Sequence, residues 1–155
     1  MNQNNLDTII GFLNEIGIEV KQTKLSKETF LPGLSLLGNR VLVDHDLLKF
    51  PGDLLHEAGH IAVTQESERS LIGSENMNEE WPTDADEITA ICWSYAACKH
   101  LNLDLKVVFH PNGYKKQSQW LIDQFENKNY LGLPMLEWMS MTTTAQFPKM
   151  TKWLR

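Results

Sequence analysis

The sequence predicts an α+β fold in which a small β-sheet packs against a helical bundle. Three observations carry that expectation. Apolar residues recur at helical spacing in Leu6, Ile9, Ile10, Leu13 and Ile16, and again in Leu54, Leu55, Ala58, Ile61 and Ala62. The run IEVKQTKL (18–25) alternates weakly and reads as a strand, and SLLGNRVLVD holds two short apolar runs around Gly38-Asn39 as a hairpin turn, with 41–44 the better strand. Hydrophobic residues make up 42% of the 155 positions and charged residues 22%, enough apolar material for one core without staples.

The elements follow in order. The first apolar stripe is an N-terminal helix stopped by Gly17. After the two strand runs, Pro51 and Asp53 suit a helix start, the first by its fixed φ and the second by its charge. The polar stretch 64–80 reads as a surface loop. Pro82 and Thr83 open a second strong helix over 84–101, and a third fits 115–127 with Trp120, Leu121 and Phe125 as its apolar residues. Gly132 and Pro134 break the Met-rich tail. No repeat, flexible linker or charge block divides the chain, so a single domain over 1–155 is the expectation, with the order α-β-β-α-α-α and a short C-terminal element.

Composition removes several function classes. The net charge is −6 and the pI about 5.3, with no basic patch to meet phosphates, so no nucleic-acid partner is expected. No apolar run nears the ~20 residues of a membrane span, and the N-terminus lacks a basic leader before its apolar residues. Cys92 and Cys98 fall in one helical stretch, ~9 Å apart at ~1.5 Å rise per residue, too far to bridge. Two free thiols point to a reducing, cytoplasmic location.

The chemistry concentrates in His56-Glu57-Ala58-Gly59-His60, an HExxH motif. Two histidines four apart sit one turn above each other on one helix face, where both can bind one Zn²⁺. Glu57 is rotated ~100° from the first histidine, so it flanks the metal and can take a proton from a water that the metal acidifies. Five histidines and twelve glutamates placed at random would give roughly 0.01 such motifs in this chain. Apolar flanks on both sides place the helix in the interior, where two histidines and a glutamate are costly without a metal.

A third ligand has two candidates. Glu66 needs the chain to turn sharply after His60, and nothing between Ile61 and Gln65 breaks a helix. Glu87 opens the next helix in TDADEITAICWSYAA, one turn in, where a carboxylate completes a His₂Glu site. Its competing role is the capping box Asp84-x-x-Glu87; the box Thr83-x-x-Asp86 would leave Glu87 free. Asp84 and Asp86 are lesser ligand candidates, or acceptors for an imidazole N–H.

These residues resemble the zincin metallopeptidases, and within them the gluzincins. A short strand, the HEAGH helix and a Glu-bearing helix are most similar to the compact ImmA/IrrE-type metallopeptidase domain, over 41–101. The resemblance implies zinc held by His56, His60 and Glu87, Glu57 as general base, and an edge strand that pairs with an extended peptide. One departure is Ile88, where the family's helix usually has Ala. No attached helix-turn-helix unit supports a repressor-type fusion.

The expected function is zinc-dependent hydrolysis of a peptide or protein substrate. The alternative is a metal-binding regulatory or interaction module of the same fold without turnover; the little chain left to build the far wall of a deep cleft favours either a narrow-specificity enzyme or one without turnover. His110 and Tyr114, in FHPNGY, are candidate donors to an oxyanion or parts of an ordinary surface turn. His45 reads as a loop residue, His100 as a helix-end residue, Trp93 and Tyr95 as core or cleft wall, and Met135, Met139 and Met141 as core filler or groove wall.

Overall fold

In a computed structural model, which describes residues 2–26 and 28–155, the first apolar stripe folds as α1 (Gln3–Ile16). The Asn2 side chain accepts from the Asn4 and Asn5 N–H groups and caps its start, while Gly17 ends it in the left-handed region. Leu6, Ile9 and Leu13 lie fully buried on one face.

The sheet has three strands, β1 (Glu19–Gln22), β2 (Leu34–Leu37) and β3 (Arg40–Val43), in the order β1-β3-β2. Strand β3 is central, parallel to β1 and antiparallel to β2. Its Val41 and Val43 are buried, whereas β1 keeps mostly exposed residues. The run 18–25 is thus a strand only over Glu19–Gln22, and the order carries three strands where two were expected. The long connection from β1 back to β2 is tied down at Asp44, whose carboxylate accepts from the Leu25 and Asp46 N–H groups.

Helix α2 (Pro51–Val63) is the hub: α1, α5 (Leu105–Val108), the sheet and, most extensively, α4 (Asp84–His100) pack on it. Leu54, Leu55, Ala58, Ile61 and Ala62 are completely buried. Two glycines allow the close approaches. A Cβ on Gly52 would collide with the Val107 carbonyl, and one on Gly59 would lie 3.0 Å from the Ala90 carbonyl and 3.2 Å from the Trp93 ring. Gly59, inside the HExxH motif, is therefore what lets α4 lie against it.

Several expectations are corrected. Helix α2 does end before Gln65: Thr64 turns extended, with its N–H on the Ile61 carbonyl and its hydroxyl on that of His60. A hydroxyl that can bond the preceding turn was the missed stop signal. The stretch 64–80 holds a short helix, α3 (Glu66–Arg69), and a buried Ile72. The helix expected over 115–127 is α6 (Ser118–Glu126), because Tyr114, Lys115 and Lys116 all adopt left-handed backbone around a 3₁₀ turn. Of its three expected apolar residues Leu121 and Phe125 are buried, and Trp120 is 48% exposed. Pro134 starts a helix, α7 (Leu133–Trp138), instead of breaking one, since proline is tolerated in the first turn.

Cys92 and Cys98 are free and buried. Burial pushes both thiols up, Cys98 to about 12. Among the described residues no helix is long and apolar enough to cross a membrane.

Candidate metal centre

Helix periodicity puts Asp53, His56, Glu57 and His60 on one face of α2. One ligand atom from each of His56, Glu57 and His60 lies within 4.8 Å of the others, a grouping able to hold a metal ion. Both histidines are buried, while Glu57 keeps part of its surface open to the cleft.

Glu87 arrives from the first turn of α4. Its carboxylate spans both imidazoles, with one oxygen 3.1 Å from His56 Nε2 and the other 3.0 Å from His60 Nε2. The side chain is 42% exposed on the cleft side. It is free to do this because Thr83 and Asp86 form the capping box: the Thr83 hydroxyl accepts from the Asp86 N–H, and the Asp86 carboxylate from the Thr83 N–H.

The charges respond to this packing. Burial pushes the Glu87 carboxyl up, yet the hydrogen bonds and charges of His56 and His60 outweigh it and hold the group far below the usual carboxylate range. Burial pushes the His56 imidazole down, but contact with Glu87, aided by Glu57 and Asp53, leaves it above its ordinary value. Burial raises the Glu57 carboxyl, and the two imidazoles only partly offset that.

Two imidazole nitrogens and a carboxylate converging from two buried helices fit a borderline metal such as Zn²⁺ better than a hard oxygen-seeking cation. One usual feature is missing. Neither His56 Nδ1 nor His60 Nδ1 has a hydrogen-bond partner, so packing and the Glu87 contacts at Nε2 set the ring orientations. The two rings meet edge to face at 4.9 Å, Tyr114 packs on His56 at 5.4 Å and Trp81 on His60 at 6.0 Å.

The opposite wall comes from the turn after α5. His110 is buried and its Nε2 lies 2.6 Å from Asp53 Oδ1, one turn before His56 on α2. Its ring stacks on Phe50 at 3.9 Å, and the Ser118 hydroxyl donates to its carbonyl. Tyr114 reaches in beside it with a buried hydroxyl that has no partner. Burial, with Asp53, Glu87 and Glu57 nearby, pushes this phenol well above its ordinary value, so it stays a proton donor at neutral pH.

Other sequence candidates lie elsewhere. Glu66 is exposed on α3, in a surface depression with Arg69. Asp84 is exposed at the start of α4, and Asp86 is taken by the cap. His45 sits in a turn after β3, and His100 packs between Phe12 and Trp153. Trp93 and Tyr95 are core, as are Met139 and Met141. Two contributors escaped sequence reasoning. Asp53 was read only as a helix-start charge, and Trp81, whose Nε1 donates to the Thr64 hydroxyl, carried no signal at all.

No family model matches this chain, and no curated protein or solved structure is significantly similar to it. What stands on the geometry is an α+β protein with a His-Glu-xx-His group able to hold a metal ion.

Proposed function

We propose that the protein is a zincin-like zinc metallopeptidase, with His56, His60 and Glu87 as ligands and Glu57 as general base. The observation that supports this most is the meeting of Glu87 with both Nε2 atoms while Glu57 stands beside them unpaired to either helix cap. Zn²⁺ would supply Lewis-acid polarisation of a water and of the scissile carbonyl.

The protein's own groups do the rest. Glu57, its carboxyl raised by burial, takes the attacking water's proton and passes it to the departing amine. The Tyr114 hydroxyl, buried and unpartnered, donates to the oxygen that gains charge as the carbonyl is attacked. His110, engaged by Asp53, positions the turn that carries Tyr114 instead of donating itself.

Strand β2 supplies a docking edge. The Asp44 N–H bonds the Gly33 carbonyl, so in this register the backbone groups of Ser35 and Leu37 pair with β3 and those of Leu34 and Leu36 point away from it; the Leu34 N–H is taken by the Leu31 carbonyl, which leaves the Leu34 carbonyl and the Leu36 N–H for a peptide. Leu34, Ser35 and Leu36 line the cleft with His56, Glu57 and His60, where an extended peptide can add as a further strand. The buried free thiols suit a reducing, cytoplasmic setting.

The test is a peptide-library digest scored by mass spectrometry, run on zinc-loaded wild type and Glu57→Gln together. Cleavage by wild type and a ~10²–10⁴-fold slower variant of equal zinc content is expected. Equal cleavage by both removes Glu57 as the base. No cleavage by either, with zinc bound, favours the non-enzymatic metal module.

A further inference from the structure

Two lobes of the cleft meet at the metal centre, and their charges differ. The first is lined by Leu34, Ser35 and Leu36 of β2 with Trp81 and Pro82; its charged lining is Glu28, Glu57 and Glu87, with no Lys or Arg among the described residues. The second is a cavity of about 670 Å³ between residues 30–32, the start of α2 and the turn 112–115. His56 and Glu87 border both, so one extended chain crossing the centre enters both.

The second lobe is built for an apolar residue and a negative charge. Phe30, Leu31 and Phe50 give it apolar walls. Lys49 and Lys115 stand exposed at its rim, and neither is in a salt bridge among the described residues. Both of its acids are engaged, Asp53 by His110 and Glu87 by the two imidazoles. Helix α2 begins at this lobe, so the positive end of its macrodipole adds to the lysines.

Direction follows from the sheet. Leu31 and Pro32 border the basic lobe, and β2 runs from there along the acidic one. A peptide adding antiparallel to β2, the more stable pairing, runs the other way. Its residues after the scissile bond then fall in the basic lobe.

We infer that this lobe holds the carboxyl side of the substrate and selects a carboxylate there, from an acidic side chain or from the C-terminus of a short peptide. This rests on the peptidase reading, and its test does not need turnover. Zinc-loaded Glu57→Gln protein is titrated with fluorescent hexapeptides of one apolar centre. They differ in the half after the scissile bond: a free C-terminus, a Glu with an amidated end, or a Gln with an amidated end. A fourth peptide carries the Glu in the half before the bond.

At least one carboxylate placed after the bond binds about five- to tenfold tighter than the Gln amide, the scale of two exposed charge contacts. The stronger of those two arms identifies the source. At ~1 M salt, where screening reaches ~3 Å, the difference flattens. The double variant K49E/K115E, both at exposed positions, inverts the order. Equal binding of all peptides, tighter binding of the fourth, or no binding of any by the zinc-loaded protein overturns the inference. Selective binding by a protein whose wild type cleaves nothing would count against the peptidase reading alone.

Discussion

The two walls of the cleft are made differently. The ligand wall stands on α2 and α4, whose packed faces are completely buried and whose approach is set by Gly59. The facing wall is a surface turn with three successive left-handed residues, held by the Asp53–His110 pair and one hydroxyl from Ser118. Left-handed backbone at non-glycine residues is costly and persists only where the surroundings over-determine it. The ligand wall is therefore positioned by core packing and the Tyr114 wall by a few polar contacts. On the proposed reading, the ligands and the general base Glu57 stand on the first wall, and the second contributes the Tyr114 donor.

Removing a ligand breaks the first wall most severely. His60→Ala and Glu87→Ala should each lower zinc affinity by more than ~100-fold, beyond what removing a mere outer partner costs, with Glu66→Ala unchanged. Competitive titration against a chromophoric chelator reads this directly. A loss in Glu66→Ala equal to that in Glu87→Ala would move the third ligand to α3.

The second wall is probed by Tyr114→Phe. Loss of one oxyanion donor costs ~10²–10³ in kcat, and zinc affinity should not change. A variant that loses zinc as well as rate would show that the two walls are not separable.

Proton competition sharpens the contrast on the ligand side. His56 is raised, so in the metal-free protein its bond to Glu87 contributes stability below the imidazole's ordinary value and loses it as pH rises through the raised one. Glu87 is lowered, so its contribution is present above the ordinary carboxylate range and fades only in strong acid. Zinc needs the neutral imidazole, so its affinity should climb over the same rise in pH that weakens the metal-free protein. Urea melts of metal-free protein, paired with zinc titrations across neutral pH, test the opposite slopes.

The smallest effect is expected from Asp53→Asn. It weakens a buried charge-assisted hydrogen bond, worth about 1.5–3 kcal/mol, and should lower stability by that order while zinc stays bound. Retained stability with lost zinc would contradict the division between the walls.

Much of the ligand wall was legible because its signals are local. The HExxH spacing is a property of one helix, and the competition between Thr83-x-x-Asp86 and Asp84-x-x-Glu87 for the cap is decided within four residues. Glu87 was singled out because it opens the next helix, one turn in, and the Thr83 cap leaves it free. The facing wall was hard to read because its determinants are distant in sequence. Asp53 acquires its role only from His110, and three left-handed residues at Tyr114, Lys115 and Lys116 break a helix that their side chains would permit. Strand β1 was half-legible because its residues are mostly exposed, and its order comes from pairing with the buried β3. The end of α2 turned on one Thr64 hydroxyl, a cue weaker than glycine or proline.

The central claim is that α2 and α4 together form one metal centre. Anomalous diffraction at the zinc edge, from crystals of the zinc-loaded protein, tests it most directly. A single strong peak is expected about 2.0–2.1 Å from both His56 Nε2 and His60 Nε2, with a Glu87 oxygen in the coordination sphere. A peak coordinated by Glu66 in place of Glu87, or no peak between the two histidines, would contradict it.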